Sequence, residues 1–154
     1  MNIARCSTPI HLLKDRYIIA AGGNLSLATG SREKFTNTCE LFDIHKKQWN
    51  QICSMDKARA NTSMAAISDR HIFVFQGLQA SVNSSDKNCI EYMDIGTLDS
   101  KSIQMAKWIS IVVRSSDFVR GDTRGCALLQ SSNEILLFGG QKTQCFYMDV
   151  GFLS

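Results

Sequence analysis

The chain has 154 residues, 44% of them apolar and 20% charged, enough for one domain with a real core. Its formal net charge of +3 is small and its Lys and Arg residues are dispersed, which excludes the concentrated basic face of a nucleic-acid binder. No run of about 18 apolar residues occurs, which excludes a membrane-spanning helix.

In chain order, the first residues, Met1-Asn2-Ile3-Ala4-Arg5, precede a short strand that carries His11 and meets a polar turn, Lys14-Asp15-Arg16. A wholly apolar strand, residues 17–21, then runs into Gly22-Gly23, so the pair of strands reads as a hairpin. Cys39-Glu40-Leu41-Phe42-Asp43-Ile44 is a third strand, a turn follows at residues 45–47, and Gln48-Trp49-Asn50-Gln51-Ile52 is a fourth.

The same order then recurs. Met55-Asp56-Lys57-Ala58-Arg59 matches residues 1–5 at an offset of 54. Residues 63–67, the turn Ser68-Asp69-Arg70 and residues 72–75 repeat the hairpin and end at Gly77; Ile90-Glu91-Tyr92-Met93-Asp94-Ile95 and Lys107-Trp108-Ile109-Ser110-Ile111 complete the unit. At a further offset of 63, residues 129–138 form the hairpin again before Gly139-Gly140, and Cys145-Phe146-Tyr147-Met148-Asp149-Val150 is its third strand. Length varies only between the strands. Self-similarity at about 50 residues, with four short strands per unit, is the sequence signature of a propeller blade.

The apolar second strands do not alternate polar and apolar residues, which predicts cover on both faces, as blade stacking provides. A Gly pair after such a strand allows positive φ at a sharp exit. An Asp recurs before an aliphatic residue at 43, 94 and 149, where it is expected to close the turn after the third strand.

Taken together, Gly22-Gly23, Phe42, Trp49 and residues 55–59 resemble the Kelch repeat, whose pattern places a Gly pair, an aromatic, a Trp and a Met-x-x-x-Arg stretch at these points. Departures are Gln76 in place of a glycine, Met93 and Met148 in place of the aromatic, and no Trp after Met148. The resemblance implies an all-β fold of β-propeller blades, each of four antiparallel strands. Blade 1 spans about residues 5–54, blade 2 about 59–113 and an incomplete blade 3 about 124–150, together a partial Kelch propeller over residues 1–154. About three blades form an open, unclosed arc. Two readings of that arc are open: the chain is a fragment of a longer protein, or copies self-associate through the open blade faces.

For function, the resemblance implies a non-enzymatic protein-interaction module. In Kelch proteins ligand contacts come from the residue after the Gly pair, here Asn24, Leu78 and Gln141, and from around the Arg before the first strand, here Arg5, Arg59 and Asn61, with Arg124 in that role in the third unit. Such a cluster favours another protein, in particular an acidic peptide segment. The alternative is a fragment of a sugar-active enzyme of Kelch type, an oxidase or epimerase; but His11, His45 and His71 have no paired spacing for a metal, and no cofactor motif appears. The six cysteines lack a Cys-x-x-Cys pair and read as reduced core residues, and charged residues interrupt any signal-peptide core, which together predict a cytoplasmic setting.

Overall fold

A computed structural model of the chain describes residues 1–26, 34–79, 89–96, 106–112, 125–129, 134–138 and 145–149. The fold is all-β. Strands β1 (Ile10–Leu13), β2 (Tyr17–Ala21), β3 (Cys39–Asp43) and β4 (Gln48–Ile52) form a first antiparallel sheet in chain order. A second sheet takes β6 (Ser63–Ile67), β7 (His71–Phe75), β9 (Cys89–Asp94) and β10 (Trp108–Val112), again each beside the next. The third holds β11 (Gly125–Leu129), β12 (Glu134–Phe138) and β13 (Cys145–Asp149). A two-residue ribbon, β5 (Arg59–Ala60) with β8 (Leu78–Gln79), was not foreseen from the sequence. Among the described residues no sheet closes on itself, and no helix is long and apolar enough to cross a membrane.

Local chemistry explains the hairpins. Lys14 and Asp15 both take φ near +50°, and the Arg16 amide donates to the Leu13 carbonyl at 3.0 Å; Ser68 and Asp69 do the same before Arg70 donates to Ile67 at 3.0 Å. Two left-handed residues in a row give the turn whose twist matches that of the flanking strands. The recurring Asp has the expected role at two positions. Asp43 Oδ1 accepts from the His45 and Lys46 amides at 3.0 and 3.1 Å, and Asp94 Oδ1 accepts from the Gly96 amide at 2.8 Å; turn amides that the strand ladder cannot satisfy find a carboxylate instead.

Two apolar layers join the sheets. Leu13, Tyr17, Ile19 and Leu41 of the first sheet pack on Ala66, Ile72, Val74 and Met93 of the second. Phe73, Phe75 and Ile90, on the other face of the second sheet, pack on Ile135 and Leu137 of the third. The second sheet therefore lies between its neighbours, and all five residues of β7 are buried. The Trp108 indole fastens this stack by donating to the Cys53 carbonyl at 3.1 Å, just beyond β4.

The expectation that all three apolar strands are covered on both faces is met by β7 and fails at β12. There burial alternates: Ile135 and Leu137 are buried, Leu136 is half-buried and Phe138 is exposed. Strand side chains alternate between faces, and among the described residues only one face of the third sheet has a neighbour. Among the cysteines whose side chains are described, Cys6, Cys39, Cys53 and Cys126 are free thiols, and of these four only Cys39 is fully buried. Burial pushes the Cys39 and Cys126 thiols up to about 12.

Candidate functional site

The Gly exits of β2 and β7, the N-terminal segment and the ribbon meet at one end of the first two sheets. Gly22 and Gly23 take φ of +67° and +114°, and a Cβ on Gly22 would stand 2.5 Å from the Arg59 carbonyl. Only glycine permits that approach. The strands part here, so carbonyls at the exits lose their ladder partners, and two arginines take them up. Arg5 Nη1 donates to the Gly22 and Thr38 carbonyls, both at 2.7 Å, and Nη2 to Thr38 Oγ1 at 2.9 Å and Glu40 Oε2 at 3.0 Å. Arg59 Nη1 donates to the Gln76 carbonyl at 3.0 Å and Nη2 to Glu91 Oε1 at 2.7 Å.

Both ion pairs are shut away from water: the side chains of Arg5 and Glu40 are 0% and 1% exposed, and those of Arg59 and Glu91 are both 0%. Burying charge is costly unless each partner is also hydrogen-bonded. The carboxylates meet that condition. Glu40 Oε1 accepts from the Asn2 amide at 2.6 Å, and Glu91 accepts from the Asp56 and Lys57 amides at 2.6 and 3.1 Å. The guanidinium groups of Arg5 and Arg59, both expected at the partner site, thus point inward, bond carbonyls of the exits and fix the loops above them.

Those loops form a continuous rim. Gly23 donates to the Arg59 carbonyl at 2.8 Å, Asn24 and Cys6 exchange backbone bonds at 2.8 and 3.0 Å, and Asn61 donates to the Ser7 carbonyl at 3.0 Å. Ala60 pairs with Leu78 across the ribbon. Asn24, Asn61 and Leu78, expected at the site, are thus brought onto one rim. Asn24 is half-buried, and its Oδ1 accepts from the Ser26 and Lys34 amides at 2.9 and 3.3 Å, so its side chain shapes its own loop. Asn61 is exposed at φ +54° and Leu78 is 37% exposed; these two offer surface. Arg124 and Gln141 lie outside the described residues.

Glu40 and Glu91 are the residues that sequence reasoning missed. The signal was present: each is a lone carboxylate in an apolar strand, three positions before the recurring Asp. A charge in an otherwise apolar strand that is not at the surface must be paired.

At the opposite end of the second sheet, Arg70 grips Asp94 with two bonds of 2.8 Å, and His71 Nδ1 lies 3.2 Å from the Tyr92 hydroxyl. An open depression of about 500 Å³ lies beside them, lined by Tyr92, Asp94, Ile95 and Lys107. Burial lowers the His71 pKa and raises that of Tyr92. The Arg70 hydrogen bonds hold the Asp94 carboxyl down to about 2. A depressed carboxyl contributes stability above its unfolded value of about 3.9 and loses it as pH falls toward the folded value; solvent screens much of the effect, since Arg70 is 53% exposed. The carboxyl carbon resonance of Asp94 is expected to titrate near pH 2, and a midpoint at an ordinary carboxylate value would show that the fork is not kept in solution.

Among the described residues no group of three or more His, Cys, Asp and Glu side chains is placed to hold a metal ion. No protein-family model matches the chain, and no curated protein matches it either.

Proposed function

We propose that the three sheets are blades of a partial propeller of Kelch type, and that the chain is a protein-interaction module working through the rim at the Gly exits. The observation that carries this reading is the rim itself: exposed Asn61 and Leu78 stand on loops tied to one another and to two buried ion pairs. Recognition loops on a rigid base bind with little ordering cost. The burial of Arg5 and Arg59 alters the chemistry expected of the partner. It is a protein segment that sets an apolar side chain on Leu78 and a hydrogen-bonding group on Asn61, rather than an acidic peptide held by guanidinium groups.

The test is a pull-down comparing wild type with the pair Leu78→Asp and Asn61→Ala. Partner recovery is expected to fall about tenfold or more, since a truncated anchor at an interface centre costs about 2 kcal/mol. Unchanged recovery would remove the rim from the binding surface.

A further inference from the structure

Among the described residues the three sheets stack with one polarity and leave two unlike faces open. Across the second sheet, Ala66, Ile72, Met93 and Trp108 are cross-strand neighbours on the face that packs against the first sheet. Across the first sheet the corresponding row is Leu12, Ile18, Phe42 and Trp49, joined by the same kind of pairing. It faces away from the stack, because Leu12 alternates with the buried Leu13. Ile10 on this face is 62% exposed and Leu12 47%.

At the other end, the outward face of the third sheet carries the neighbours Ala127 and Leu136, with Phe138 two positions along β12. Its register matches Ala65 with Phe73, and Phe75 beyond them, on the face of the second sheet that packs against the third. Each open face is thus of the type that a neighbouring sheet covers elsewhere in the chain. The open face of the third sheet and that of the first have the same relation as the two faces that meet in either internal layer. The first strands continue it: β1 packs against β6, and β6 against β11.

We propose that two copies of this chain associate head to tail, the third sheet of each stacking on the first sheet of the other, so that six sheets close a ring. The proposal rests on reading the sheets as blades, and not on the rim partner. Six lies within the roughly four to eight blades at which propellers close. Area favours closure over an open pair. Strands about 4.8 Å apart rising about 3.3 Å per residue give each sheet face a footprint of roughly 300 Å². One such contact is small beside the roughly 800 Å² per partner of a standard interface, whereas a ring makes two per copy. A ring also ends the stack, where an unclosed head-to-tail contact would grow into filaments.

Light scattering on the full chain across the micromolar range is expected to plateau at twice its 17.2 kDa mass. Leu12 and Ala127 are exposed, so substitution leaves the fold intact, as melting of each variant would verify. Continuing the β1, β6, β11 stack sets β11 of one copy on β1 of the next. Leu12→Glu and Ala127→Lys are each expected to give a monomer, and the two together in one chain to restore the dimer, because only a head-to-tail contact opposes Glu to Lys. A monomeric wild type, a mass that climbs without a plateau, or a double variant that stays monomeric would overturn the ring. The rim pull-down on the same samples separates the two readings: partner capture retained by a monomer leaves the rim standing and removes the ring alone.

Discussion

Glu91→Ala is expected to lower the unfolding free energy by about 3–5 kcal/mol, the cost of removing one half of a fully buried ion pair. The guanidinium of Arg59 would remain fully buried with its bond to the Gln76 carbonyl, and the Asp56 and Lys57 amides would lose their acceptor as well. Set against a total stability of about 5–15 kcal/mol for ordinary domains, this is a large fraction. Urea unfolding followed by circular dichroism checks it, with a lower midpoint at an unchanged slope. Replacing both partners, Arg59→Met with Glu91→Leu, is expected to recover most of the loss, because no uncompensated charge is left behind. A Glu91→Ala chain as stable as wild type would mean that water reaches the pair in solution. Glu40→Ala is expected to cost less, since Glu40 serves one amide near the chain start where Glu91 serves two.

Phe73→Ala is expected to cost about 3–5 kcal/mol through lost transfer energy and the cavity left behind. Phe73 is fully buried, with ring centroids of Tyr92 and Phe75 at 5.2 and 6.1 Å, and it lies in the layer that joins the second sheet to Ile135 and Leu137 of the third. Two hydrogen-bonded sheets cannot readily sink into the gap, so relaxation is limited. For a domain of this size the loss corresponds to a fall in melting temperature of roughly 10 °C. Calorimetry measures it directly, and a shift of a degree or two would show that the layer is loosely packed. The docking of the third sheet depends on this layer, so β12 amides are expected to lose protection from hydrogen exchange before those of β2.

The strands were largely legible in the sequence because they are short apolar runs bounded by turn residues. Ser68-Asp69-Arg70 between two such runs marks a hairpin in any context, and the structure builds it with two left-handed residues. His71 shows where boundaries blur: it opens β7 as a buried residue, one position before the apolar run begins. The ribbon of Arg59–Ala60 with Leu78–Gln79 was not legible, since two-residue strands carry no periodicity.

The candidate site divides in the same way. The resemblance to Kelch repeats put Asn24, Asn61 and Leu78 together, and the backbone bonds between the loops that carry them bring them onto one rim. The arginines could not be placed, because a guanidinium reads the same in sequence whether it faces water or a buried carboxylate. The partners decide that, and they stand 35 residues from Arg5 and 32 from Arg59.

By itself, then, the sequence determined the short-range features: which runs are strands, where hairpins turn, which glycines allow a sharp exit, and which Asp closes a turn. Each depends on backbone preferences acting over a few residues. Only the tertiary structure decided which faces of those strands are covered, so that β7 is buried throughout while β12 alternates, and which charges are hidden. Burial and ion pairing belong to the surroundings that distant segments supply, and a residue's neighbours in sequence do not contain them.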